Sequence, residues 1–212
     1  MVQLWLSSDT GGTLFYLFQL MQRKAEVLDI MGDWNQAESI HRRGLELAEV
    51  HTDERLRADA RALLAFSKAR DHYRRAIDLC RKLKLRPELA ENLNQAAELF
   101  LSQGNADRAR QLNTEALAAA AEIGRQDVVF SSRLMEARIA ARNDRDAAAG
   151  MMRALADDRL NDSQRAEVCC HLFKLTGDHD CKRKAREAYQ SVYNAAPDLA
   201  VKLRLEELAE TA

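Results

Sequence analysis

The sequence predicts an all-α array of helical hairpins, and three observations carry that prediction. Only two prolines and eight glycines interrupt 212 residues rich in Ala, Leu, Glu and Arg, which lose little on entering a helix. Ala37, Ala69, Ala109, Ala147 and Ala185 stand 32, 40, 38 and 38 residues apart, and self-similarity at such a period marks stacked helical repeats. Each has a small or apolar partner seven residues on (Gly44, Ala76, Ala116, Ala154 and Val192), two turns along the same helix face. A face kept small is one that another helix approaches closely.

The stretch from Gly32 to Leu47 shows the pattern most fully: a turn glycine, the aromatic Trp34, then Ala37 and Gly44 on one face. Gly104 to Ala109, followed by Ala116-Leu117, repeats it. Weaker copies are Ala69 with Ala76-Ile77, Ala147 with Ala154-Leu155, and Ala185 with Val192-Tyr193 and Pro197. This pattern resembles the second half of a tetratricopeptide repeat (TPR), in the slightly long form of bacterial regulators, over residues 18 to 197. The resemblance implies a TPR-like α-solenoid of about five helical hairpins with a C-terminal capping helix. It also implies that the first helix of each pair lines a concave groove and the second lies on the convex side.

In chain order, residues 1–12 read as an irregular leader, with Asp9-Thr10-Gly11-Gly12 as a turn. Residues 13–197 form the array and 198–212 the capping helix. The first hairpin pairs Thr13–Met31, in which the resemblance puts Met21, Ala25 and Leu28 at packing positions, with Asn35–Val50. The second is irregular. Its first helix, Asp53–Leu64, is short and no glycine precedes Ala69, so either the turn is tight or the two helices merge. Arg81-Lys82-Leu83-Lys84 is a cationic helix end, favourable for the dipole. Pro87 opens the next helix, which buries Leu93, Ala96, Ala97 and Phe100 and stops at Gly104. Asp107–Ile123 follows and ends at Gly124. The fourth hairpin pairs Gln126–Arg142 with Arg145–Ala156. Asp162 or Ser163 caps the fifth, in which Gln164–Leu175 joins Lys182–Ala195 through a wide loop at Thr176–Cys181. Leu199–Glu210 covers the end of the stack.

Composition narrows the function. Thirty-two basic and thirty-three acidic residues give a formal charge of −1, which argues against nucleic acid or an anionic membrane as partner. Two apolar runs, from Met1 and from Leu14, are too short or too interrupted to span a bilayer. Four cysteines without a secretory signal point to a reducing cytoplasm. The chain carries no Walker loop, dinucleotide fingerprint, HExxH or GxSxG. Asp9-Thr10-Gly11 matches the aspartic-protease triplet but lacks flanking strands and a second copy. Cys169, Cys170, His171, His179 and Cys181 hold metal-type donors, yet the spacing fits no zinc module and adjacent helical cysteines diverge by about 100°. Small core filler is the better reading of Cys80 and Cys170. No cofactor, no metal and no catalysis are expected.

Charge placed on the repeat says more. The resemblance puts Gln22, Glu26 and Asp29 in the groove from the first pair, and Glu91, Asn94 and Glu98 from the third. Ser132 and Glu136 follow from the fourth, and Glu167, His171 and Lys174 from the fifth. The second helices carry Arg42-Arg43, Arg70, Arg74-Arg75, Arg108, Arg110, Arg153 and Lys182-Arg183-Lys184. An acidic inner side and a basic outer side result, or else ordinary solvated charges and local salt bridges. The expected partner is a protein or peptide with a basic or amphipathic segment. Two alternatives stand beside it. The ending from Lys184 to Asp198 resembles the C-terminus of large bacterial signalling ATPases, which implies a sensory or autoinhibitory tail whose partner is its own missing N-terminal domains. Apolar surface at Leu4, Trp5, Leu6, Leu14, Phe15 and Phe18 instead allows self-association into a homodimer.

Overall fold

The structure, a computed structural model, describes residues 10–31, 33–49, 54–156 and 159–210. Among the described residues every regular element is a helix. In order these are α1 Thr10–Met31, α2 Trp34–Glu49, α3 Glu54–Leu83, α4 Arg86–Ser102 and α5 Ala106–Ile123. They continue with α6 Gln126–Ala140, α7 Arg145–Ala156, α8 Asp162–Thr176, α9 His179–Ala195 and α10 Leu199–Glu210. The chain divides into two compact units, Met1–Leu79 and Cys80–Ala212, each with its own core.

In the first unit α1 packs on α2 through the small face that the repeat pattern marks. A Cβ at Gly44 would stand 3.3 Å from Phe18 Cε2, so the glycine is there for room. Ala25 and Ala37 are fully buried. Phe18 closes a core with Ala48, Leu56 and Ala60, flanked by Leu45 and Leu63. That burial withdraws Phe18 from the apolar patch expected to mediate self-association, whereas Phe15 stays exposed. Leu4, Trp5 and Leu6, and the side chain of Leu14, lie outside the described residues. The leader is shorter than expected: Thr10–Gly12 already belong to α1, and residues 1–9 lie outside the described residues.

The second hairpin does not form; α3 is one helix of 30 residues. Its buried positions explain why. Leu56, Ala60, Leu64, Ser67, Arg70 and Ile77 follow one another at steps of three, four or seven, so a single helical stripe runs through the place of the expected turn. No Gly or Pro interrupts Glu54–Leu83. A merged helix needs no loop, which accounts for the short 32-residue interval. It also shifts the face by one residue: Ala69 and Ala76 are half-buried, while Arg70 and Ile77 are buried.

The second unit runs in overlapping clusters. Ala90 of α4, Ala119 and Ala120 of α5, and Val128 and Val129 of α6 form the first. Phe130, Leu134 and Ala137 of α6 join Ala149, Met152 and Leu155 of α7 and Val168 and Leu172 of α8 in the second. Ala166, Cys169 and Cys170 of α8 pack with Ala185, Ala188 and Tyr189 of α9 and Leu208 of α10 in the third. Thus α6 and α8 each serve two clusters. Every helix from α4 to α9 touches its successor, and α4 also touches α6.

Local signals set the helix ends. Gly124 terminates α5 in the left-handed conformation at φ 72°, as expected. For α8 the cap is Asn161 rather than Asp162 or Ser163. Its side chain accepts from Gln164 N at 2.9 Å while Gln164 Oε1 accepts from Asn161 N at 3.2 Å, a reciprocal capping box. The expected wide loop at Thr176–Cys181 contracts to Gly177-Asp178, because the Asp178 carboxylate caps α9 through Asp180 N at 2.9 Å. In α7 the buried pair is Ala148 and Leu155, one residue after the marked Ala147 and Ala154, both exposed.

Ala65 is exposed in mid-α3. Ala65→Pro removes one helical hydrogen bond and clashes with the preceding turn, so it should cost about 3 kcal/mol of stability in urea denaturation and lower helical ellipticity. A turn at this position would tolerate the proline with little loss, which would contradict a continuous α3.

Candidate functional site

Of the eleven residues assigned to a groove, eight lie in the second unit. Their helices α4, α6 and α8 bring several together, though not as a row of free acids. Asn94 Nδ2 lies 3.2 Å from Ser132 Oγ and 3.5 Å from Asn113 Oδ1. Asn113 in turn donates to the Ser132 carbonyl at 2.9 Å. Ser132 and Asn113 are both fully buried. This is a buried polar link between α4, α5 and α6, fully bonded as such groups must be, and it takes Ser132 out of contact with any guest. The sequence offered one clue: Asn113 falls among Leu112, Ala116 and Ala120 on the core face of α5.

Glu98 is also engaged. Its carboxylate receives both guanidinium ends of Arg138 at 2.5 and 2.7 Å, a bidentate pair between α4 and α6. Lys174 of α8 pairs with Glu207 of α10, which also receives Arg204 at 2.9 Å. Glu91 and Glu136 are exposed and make no ion pair among the described residues. Gln22, in the first unit, is half-buried beside Phe18, Met21 and His41. The side chains of Glu26 and Asp29 lie outside the described residues. Sequence reasoning placed the acids on one side but missed the arginine that neutralises the central one.

Burial and charge act together on α8. Burial pushes the Glu167 carboxyl above its ordinary value, against the pull of Arg138 and Arg204 and with the push of Glu98. His171 is lowered to about 4, first by burial, then by Arg138, Lys174 and Arg204, with only Glu98 opposing. Its imidazole is therefore neutral at pH 7. His171, Arg138 and Lys174 line a cavity of about 280 Å³ with Arg142 and Arg145, over a floor of Leu101, Met152 and Leu175. Arg142 and Arg145 had no place in the sequence reading.

The outer cations are paired close to home. Arg42 meets Glu38, Arg74 and Arg75 meet Asp71, and Arg110 meets Asp107. Arg183 and Lys184 share Asp180. Arg70 is not on the surface; it is buried, lies 3.1 Å from Ser67 Oγ and stacks over Phe66 at 6.0 Å. The basic side is thus largely a set of short-range pairs.

The cysteine-histidine group separates. Cys169 and Cys170 sit in the α8–α9–α10 core, where burial raises both thiols. The Cys181 thiol lies 3.5 Å from Asp178 Oδ2 and is pushed up to about 11, by burial first and then by that carboxylate. The His179 ring stands 6.1 Å from that of Phe173. Among the described residues no group of three His, Cys, Asp or Glu side chains is placed to hold a metal ion. No described helix is long and apolar enough to cross a membrane. No family model matches the chain, and no curated protein matches it.

His171 makes stability depend on pH in a definite sense. An unfolded histidine takes up its proton near pH 6.5 and the folded one only near 4, so the stability gained from keeping it neutral is complete above 6.5 and is lost as pH falls toward 4. Glu167, raised by burial, works in the opposite direction over the lower part of that window. His171→Gln should therefore lose about 1–2 kcal/mol less than the wild type between pH 6.5 and 4 in urea denaturation, a figure discounted for partial exposure. Parallel pH curves for the two proteins would contradict the assignment.

Proposed function

We propose that this chain is a non-catalytic, TPR-type helical-repeat scaffold that holds a segment of a partner protein across the side shared by α4, α6 and α8. The observation that carries this reading is the convergence there of charged side chains from three helices far apart in sequence, Glu98 with Arg138 and Arg138 with His171, on helices that also expose Glu91 and Glu136. Successive helix–helix contacts and overlapping clusters support a repeat arrangement, in which each unit buries its face only against its neighbours. Helices so fixed present side chains already ordered, which reduces the entropy lost on binding. The guest is a basic or amphipathic segment whose cations meet the exposed Glu91 and Glu136. Four free cysteines fit a reducing, cytoplasmic setting.

Selection of displayed dodecapeptides on the wild type should enrich Lys- or Arg-containing amphipathic sequences. Glu91→Lys/Glu136→Lys should weaken them about tenfold or more with unchanged circular dichroism, because two exposed attractions become repulsions. Peptides that bind both proteins equally would remove the α4–α6 side as the binding face.

A further inference from the structure

The cavity at the end of α6 goes beyond the peptide-binding reading, with which it shares Arg138 and His171, and rests on a different ligand chemistry. It lies between the α6 C-terminus, the α6–α7 connection and α8. Arg138, Arg142, Arg145 and Lys174 line it together with His171, and no carboxylate is among its lining residues. Glu98 and Glu207 balance Arg138 and Lys174. Arg142 and Arg145 have no carboxylate within ion-pair distance among the described residues.

Both arginines, though exposed, are tethered by one hydrogen bond each. Arg142 Nη2 donates to the Leu101 carbonyl at 3.2 Å, at the end of α4. Arg145 Nη2 donates to the Leu175 carbonyl at 2.6 Å, at the end of α8. Each bond uses one N–H of a guanidinium that carries five, so the forks are oriented and retain donors. The C-termini of α4, α6 and α8 all face the cavity, each carrying about half a negative charge, which explains why cations stand here and offsets part of their net charge.

We infer that this cavity is a binding site for a phosphate dianion, carried either by a small phosphomonoester or by a phosphorylated side chain. A phosphate group brings about two negative charges and three acceptor oxygens, which suits two tethered guanidinium forks backed by Arg138 and Lys174. A single carboxylate would be satisfied by one fork. At about 280 Å³ the cavity accepts a phosphate and a few waters, each of which occupies about 30 Å³ of liquid. It falls below the size of most pockets for larger ligands. Leu101, Met152 and Leu175 add an apolar part to the lining. His171 reports the same positive field, since Arg138 and Lys174 help to hold it neutral.

The test uses the full chain and follows the His171 ring by NMR during titration with inorganic phosphate, against sodium chloride at matched ionic strength. Phosphate should give a saturable shift at millimolar concentration or below and raise the His171 pKa by half a unit or more, because the anion offsets the cations around it. Arg142→Gln/Arg145→Gln should weaken binding about tenfold or more, while Arg153→Gln, an exposed change on α7, leaves it unaltered. A His171 signal that responds to phosphate no more than to chloride in the wild type overturns the inference, and that reading needs no folded variant. Equal affinity in the double variant overturns it as well. A phosphoserine peptide that binds tenfold or more tighter than inorganic phosphate and its unphosphorylated counterpart identifies a protein-borne ligand. Glycerol phosphate matching the peptide identifies a small one.

Discussion

Close approach of helices at small residues is the constraint on which both units depend. Where Gly44 meets Phe18, an added carbon would stand at 3.3 Å, tighter than ordinary side-chain contact. Ala25, Ala37, Ala109, Ala116, Ala137, Ala148 and Ala185 lose all of their exposed surface in the same way. Alanine contributes little apolar area by itself. It lets larger neighbours such as Phe18, Leu134 and Met152 reach across and fill the space. Large residues at these positions would separate the helices and forfeit the dispersion contacts that depend on short distance.

That packing leaves polar groups in tight places, and the second unit handles them by cross-linking. Asn94, Asn113 and Ser132 satisfy one another inside the α4–α5–α6 contact. Glu98 and Arg138 tie α4 to α6 nearer the surface. Arg142 reaches the Leu101 carbonyl, which also accepts from Gly104 N at 3.0 Å, and Arg145 reaches the Leu175 carbonyl at the end of α8. The same contacts that stabilise helix ends therefore gather positive charge around one cavity.

The candidate site was legible in part. Glu91, Asn94, Glu98 and Glu136 were named through the resemblance to TPR groove positions, and all four lie on exposed or half-buried faces of α4 and α6. Ser132 could not be excluded, since its hydroxyl looks as polar on paper as any surface serine; only the approach of α5 buries it. Arg138 lay outside the repeat positions considered, and its pairing with Glu98 spans 40 residues of sequence. Arg142 and Arg145 stand at a helix end and a helix start, where periodicity assigns no face.

What the sequence determined by itself was local: helix content, the left-handed end at Gly124, the small faces at Ala37–Gly44 and Ala109–Ala116, and the extent of α7 and α10 to the residue. These follow from backbone preference and from spacing along one helix. Tertiary structure decided the rest. It made α3 continuous, because a buried stripe persists through the place where the sequence left a tight turn or a merged helix open. It moved the buried register of α7 by one residue, from Ala147 to Ala148, because the choice between adjacent alanines depends on the direction from which α6 and α8 approach. It also paired one member of the expected acidic row, Glu98, with Arg138 beside a cavity lined by cations, since Coulomb attraction acts across space between side chains whose distance along the chain says nothing of their separation.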